Sequence, residues 1–228
     1  TGRTIAKMTG IDAISNIDGF DFLATWKATS GYPMLRTSAE AGTAADPYTI
    51  ADVYDLQAMN QDLDAHYTLV SDVDASGTEN WNDGAGFDPV GPNRSAAFVG
   101  SFDGHGHTIS NLVINRSSTD RVGLFGVIGE SGIVTNVSVA SVDIDGKDNV
   151  GGLAGDVFKG TVRNASVSGS VNATGNKTGG ISGYLYNGLV TDSTSTATVE
   201  GHRHVGGLHG NVLDANVRSV HAAGDVAG

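Results

Sequence analysis

Cysteine is absent from the 228-residue chain, so neither disulfides nor thiolate metal sites hold it together. No apolar run approaches the roughly 20 residues that cross a bilayer as a helix, and no signal-peptide pattern is present. Positive charge is scarce: 13 Lys and Arg stand against 25 Asp and Glu, a formal net charge of −12. A field of that sign repels phosphate and disfavours a DNA or RNA partner. Catalytic signatures are missing as well. There is no His-Glu-x-x-His, no Gly-x-Ser-x-Gly and no phosphate-binding loop, which favours a non-enzymatic role.

What the chain does have is order. Gly123-Leu124-Phe125-Gly126, Gly152-Leu153-Ala154-Gly155, Gly180-Ile181-Ser182-Gly183 and Gly207-Leu208-His209-Gly210 begin 29, 28 and 27 residues apart. A second ladder, Ile109, Val134, Val162, Val190 and Val217, runs between them at spacings of 25, 28, 28 and 27. Two residues after each rung stands a small polar residue: Asn111, Asn136, Asn164, Asp192 and Ser219. Such a period means one short unit stacked on copies of itself. Val, Thr, Ser, Asn and Gly are poor helix formers, and Thr161 to Val167 alternates at period two, so the unit is a strand. The predicted architecture is all-β, a parallel β-solenoid whose coils stack about 4.8 Å apart. The valines should form an interior column, the Asn/Asp/Ser positions a hydrogen-bonded corner ladder, and the motif glycines tight corners with positive φ and close backbone approach.

These Gly-Leu-x-Gly repeats resemble the GLUG-motif family of secreted, cell-surface and adhesin-like proteins. Phe98 to Ile109 is similar to the stretch that precedes such repeats, and Tyr48-Thr49-Ile50, Leu56 to Met59 and Tyr67 to Asp74 to its leading segment. Trp26 and Gly31 to Leu35 look like the segment that closes a preceding array. The resemblance implies a right-handed parallel β-helix and an extracellular or cell-surface setting, with no particular chemistry. Composition fits that setting: 21 of the acids are Asp and only five of the bases are Lys, a bias that resembles haloarchaeal proteins.

Three regions follow. Residues 1–40 form an N-terminal appendage with a helical pattern (Ile5, Met8, Ile11, Ile14) and anchors Phe20, Phe22, Trp26 and Tyr32. Residues 41–120 hold a short capping helix over 52–63, with Val53, Leu56, Met59 and Leu63 on one face, then the first coils and a long excursion between about Ala75 and Ala97. Residues 121–228 are the repeat solenoid, which stops at Gly228 where another coil would begin, as a piece of a longer protein or a mature subunit would. Copies of the chain are expected to meet head to tail, residues 1–40 of one closing the open end of another, with other surface proteins and cell-surface glycans as further partners.

Candidate sites are few. Asp72, Asp74, Ser76 and Asp83 match the oxygen spacing of a calcium loop, although Asp72 also suits a corner ladder. His202, His204 and His209, or His105 and His107, are candidate zinc ligands. Sequons begin at Asn93, Asn115, Asn136, Asn164, Asn172 and Asn176; Asn93, Asn172 and Asn176 are the expected glycan acceptors. The alternative to a structural or adhesive module is a glycan-binding or glycan-cleaving β-helix, such as a viral fibre, with Asp143, Asp145 and Asp148 along a groove.

Overall fold

The computed structural model describes Ile11, Ile14, residues 21–29, 33–35 and 40–228. Expectations for Ile5, Met8, Phe20 and Tyr32 fall outside these residues. From Tyr48 onward every pairing between strands is parallel. The result is a β-solenoid with three stacked sheets. The first sheet runs along the molecule through Tyr48–Ile50, His66–Leu69, Ser101–Asp103, Ile133–Gly146, Thr161–Ala173, Leu189–Thr191 and Asn216–Arg218. The second stacks Val150–Gly151, Asn176–Gly179 and Arg203–Gly206; the third stacks Phe125–Ile128, Ala154–Phe158, Ser182–Tyr186 and His209–Leu213.

Val134, Val162, Val190 and Val217 share one register, as the spacing predicts. The first three are fully buried and Val217 is half-buried. The rung below Val134, however, is Phe102 and not Ile109, which aligns with Val73 and Val139 on the next face. The 25-residue gap was a change of face. It comes from the kinked strand Ile133–Gly146, which pairs in turn with Ser101–Asp103, Thr108–Ser110 and Val113–Asn115.

The kinks explain the polar ladder. Asn136, Asn164, Asp192 and Ser219 all have φ between 50° and 54°, the left-handed region where Asn and Asp cost least among side-chain-bearing residues. Asn164 Nδ2 donates to Asn136 Oδ1 at 2.9 Å, and Asn136 Nδ2 donates to Asp103 Oδ1 at 3.0 Å. Asn111 belongs to a second corner and donates to Asp74 instead. The motif glycines do a different job from the one expected: none has positive φ. Their role is the close approach, since a Cβ on Gly123 would lie 2.5 Å from the Gly151 carbonyl oxygen.

The excursion after Val73–Asp74 is part of the solenoid wall. Its Val90 and Phe98 pair in parallel with Phe125 and Ile128, and Trp81, Phe87, Val90 and Phe98 are buried. The capping helix is Val53–Ala58, continued by a 3-10 turn Met59–Gln61. Asp52 caps it by accepting from Tyr54 and Asp55 N–H, and Val53, Leu56 and Met59 are buried while Leu63 is half-buried. Gln57 exchanges two 2.9 Å hydrogen bonds with the main chain of Asp88, tying helix to excursion. Glu40 accepts from Thr49 N–H at the outer edge of the first strand.

The N-terminal appendage packs on its own chain. Phe22 and Leu23 are buried, Phe22 N–H donates to Gln61, and Lys27 pairs with Asp52 at 2.9 Å and Asp55 at 3.1 Å. The described part of residues 1–40 therefore packs against this molecule's own capping helix and first coil.

Candidate functional site

The outer side of the third sheet carries the least expected chemistry. Along Ala154–Phe158 the side chains of Ala154 and Val157 point inward, which leaves Asp156 and Phe158 on the outside. In register with them on the next coil stand Tyr184 and Tyr186, then Asn211 and Leu213. Phe158 and Tyr186 stack face to face, centroids 5.2 Å apart and planes within 12°. Because they stack along the solenoid axis, their faces cover each other and their edges point out.

Four bases surround this strip. Arg94, reaching over from the excursion, places its guanidinium 4.2 Å from the Phe158 centroid and 5.8 Å from that of Tyr184. Lys177 Nζ lies 4.3 Å from the Tyr184 centroid, and Lys159 Nζ 5.7 Å from that of Phe158. Arg121, Lys177 and Lys159 all occupy left-handed corners, with φ of 63°, 67° and 63°. Arg121 and Lys177 belong to one corner column, two coils apart, with Asn149 between and His204 beyond.

Beneath the bases lies Asp156, fully buried. Burial pushes its carboxyl above the usual carboxylate range, against the pull of Arg94, Arg121 and Lys177. Arg94 Nε donates to its Oδ2 at 2.9 Å, and Arg121 Nε stands 3.9 Å away. Asp156 therefore fixes Arg94, and with it the excursion, on the sheet. Lys159 pairs with Glu130 at 3.0 Å. Among the described residues no carboxylate lies within ion-pairing distance of Lys177. Nothing in the sequence analysis marked this strip. The signal was available only as column arithmetic, since Phe158 and Tyr186 are 28 residues apart, like Lys177 and Asn149.

The sites read from sequence are distributed otherwise. Asp72 accepts from Thr108 N–H at 2.9 Å and pairs with His107 at 3.2 Å, while Asp74 accepts from Ser76 and Asn111. Those bonds hold both carboxyls below their ordinary range. Asp83 sits in the separate left-handed turn Asn82–Gly84. Among the described residues no three His, Cys, Asp or Glu side chains gather as a metal ion requires, so the calcium set of Asp72, Asp74, Ser76 and Asp83 is not assembled. Asp72 and Asp74 make corner hydrogen bonds instead.

The histidines are also dispersed. His202 and His204 are exposed, whereas the ring of His209 points into the core, where its Nδ1 lies 2.8 Å from Ser182 Oγ and its Nε2 is enclosed without a partner. His105 faces Asp103, His107 faces Asp72, and His66 bonds Ser101 at 2.6 Å; together the three line an open cleft beside Thr68 and Val70. Asp145 and Asp148 serve ladders, accepting from Asn172 and Asn176 respectively, while Asp143 is exposed in register with Val113 and Ser170. Those bonds occupy the Nδ2 atoms of Asn172 and Asn176; Asn136 and Asn164 are engaged in the same way. Asn93 and Asn115 are exposed, and Asn93 uses only its oxygen, accepting from Ser95 and Ala96 N–H.

No family model matches the chain, so the GLUG resemblance rests on the motifs themselves. The chain is similar to Halomucin of Haloquadratum walsbyi, 40% identical over 211 residues, or 90% of this chain and 2% of Halomucin. It is also similar to a protein of Evansella cellulosilytica with the provisional name Gly-rich membrane protein, 35% identical over 130 residues, 55% of this chain and 15% of that one. The chain thus spans only a small fraction of each relative. Among solved structures, a protein from Bacteroides ovatus provisionally named an immunoglobulin A1 protease superposes with a TM-score of 0.68 at 20% identity, over 83% of this chain and 60% of that one. That likeness establishes the fold alone.

Proposed function

We propose that this chain is a non-enzymatic structural module of a haloarchaeal cell-surface protein, displayed outside the cell. The observation that carries the reading is the unbroken parallel register from Tyr48 to Arg218, a rod whose coils serve one another. The 40% identity to a stretch of Halomucin, of which this chain matches 2%, supports it, because a rod of stacked repeats suits one segment of a very long chain. So does the Asp-rich composition with its net charge of −12. No described helix is long and apolar enough to cross a membrane.

Glycan cleavage is the weaker reading. It needs two carboxylates on either side of a bond, and the acid with the raised pKa, Asp156, is sealed under Arg94. Antibodies raised against the folded chain should label intact cells of the source organism as strongly as permeabilised ones. Labelling that appears only after permeabilisation would overturn the surface assignment.

A further inference from the structure

We propose that the outer face of the third sheet, centred on Lys177, Tyr184 and Tyr186, binds a linear acidic polysaccharide through the carboxylates on its sugar rings. Charge complementarity is the first argument. Elsewhere the solenoid presents Asp103, Asp143, Asp145, Asp192 and Glu200 to solvent. Here, in a chain with 13 Lys and Arg, four of them border one strip; of the acids around it, Asp156 is held by Arg94, Glu130 by Lys159 and Asp148 by Asn176, and Asp214 stands beyond Leu213 at the far end. Lys177 is left with a ring beneath it and its ammonium donors available to a ligand.

Ring geometry decides what kind of anion fits. Neutral sugars are held by laying their C–H faces on open aromatic faces, and this strip offers few. Phe158 and Tyr186 cover each other, Arg94 covers the far side of Phe158, and Lys177 lies over Tyr184. What points outward is ring edge and phenol hydroxyl beside ammonium, a set that donates hydrogen bonds to a carboxylate.

Shape favours a linear polymer over a folded acidic partner. The bases at the Arg121 and Lys177 corner repeat along a straight axis, two coils or about 10 Å apart, so the same register offers successive contacts to a chain lying along the rod. The inference concerns a partner of the module proposed above. It is tested on purified chain, so its failure leaves the surface assignment standing, and the reverse holds too.

The test is calorimetric titration of polygalacturonate oligomers into the folded chain, with neutral dextran and polyglutamate as comparators. Substitutions borrowed from neighbouring rungs keep the coil intact: Lys177→Asn copies Asn149 of its own left-handed corner, and Tyr184→Asn copies Asn211. Arg163→Thr, flanked by Thr135 and Thr191, removes one positive charge from another face. Expected are saturable polygalacturonate binding, none for dextran, and binding about tenfold weaker in each of the first two variants, as for loss of one charged hydrogen bond. Arg163→Thr should bind as the parent does. Absence of binding, equal loss in Arg163→Thr, or equal binding of polyglutamate would overturn the proposal. Self-association abolished by Lys177→Asn would overturn it too, by making a second copy the occupant.

Discussion

Each of the eight glycines that bracket the four motifs stands where a Cβ would meet a neighbouring atom within 3 Å, and none needs a left-handed backbone. The left-handed positions go instead to side-chain-bearing residues such as Asn136, Asn164 and Lys177. A single methyl at a motif glycine therefore acts by overpacking. At Gly155 it would lie 2.5 Å from the Arg121 carbonyl carbon, and main chain yields poorly. Gly155→Ala should cost about 1–3 kcal/mol in urea denaturation; an unchanged midpoint would show that neighbouring coils can part to admit a methyl group. His209 makes a second test. Burial lowers its pKa from 6.5 to about 4, so between those values the unfolded chain takes up a proton that the folded one refuses. That contribution is complete above pH 6.5 and shrinks as pH falls toward 4. Asp156, raised by burial, has the opposite sign, its penalty growing as pH rises above 3.8. Hydrogen exchange at Ser182–Tyr186 and His209–Leu213 isolates the histidine: once the intrinsic slowing of exchange in acid is divided out, the protection factors should fall from pH 6.5 to 4, and His209→Leu should abolish that fall.

Short elements here owe their placement to partners far along the chain, which is why some were legible in sequence and others were not. The valine column and the amide corner were legible because one register repeats them at 27 to 28 residues. The capping helix announced itself through Asp52 and its apolar face. The strand Ile133–Gly146 was misread, because a kinked strand that feeds three partners shifts the apparent period by a face. The excursion looked like a calcium loop because alternating Asp suits both metal and corner; in the structure Asp72 accepts from Thr108 N–H and Asp74 from Asn111. The strip around Tyr184 was invisible because its members come from an excursion, two corners and two coils. Arg94 is the joint of that assembly, and Arg94→Met would keep much of the ring contact while leaving the buried Asp156 carboxylate without its hydrogen-bonded partner, with Arg121 3.9 Å away. The expected loss is about 2 kcal/mol, discounted because Arg94 is 40% exposed. Thermolysin should then cut first within residues 75–97; an unchanged digestion pattern would show that the excursion is held by its apolar anchors alone.

As a whole the molecule is a rod with a mixed interior and a predominantly acidic surface. Aromatic side chains fill the first coils, through Tyr67, Phe87, Phe98, Phe102 and Phe125, and small polar ones such as Thr178, Ser182 and Ser195 enter the later ones. No cysteine is available to reinforce the thinner end. Against that modest core stands a net charge of −12, in which short Asp side chains line corners and exposed edges. Like charges spread along a rod repel at low ionic strength, and folding brings them closer than the unfolded chain does. At molar salt the screening length falls to roughly 3 Å, below the spacing of successive coils, so the repulsion between neighbouring carboxylates is largely removed. The apolar interior gains from concentrated salts as well when the anion is excluded from the surface. The two effects separate by anion. Sodium chloride should raise the melting temperature mainly through screening, with most of the rise complete by about 1 M, where the screening length is already shorter than a coil. Sodium sulfate should add a further rise beyond that point through the core. Thermal unfolding followed by circular dichroism from dilute to molar salt checks both, and a melting temperature that stays flat or falls in sodium chloride would mean that the acidic surface carries no penalty for salt to relieve.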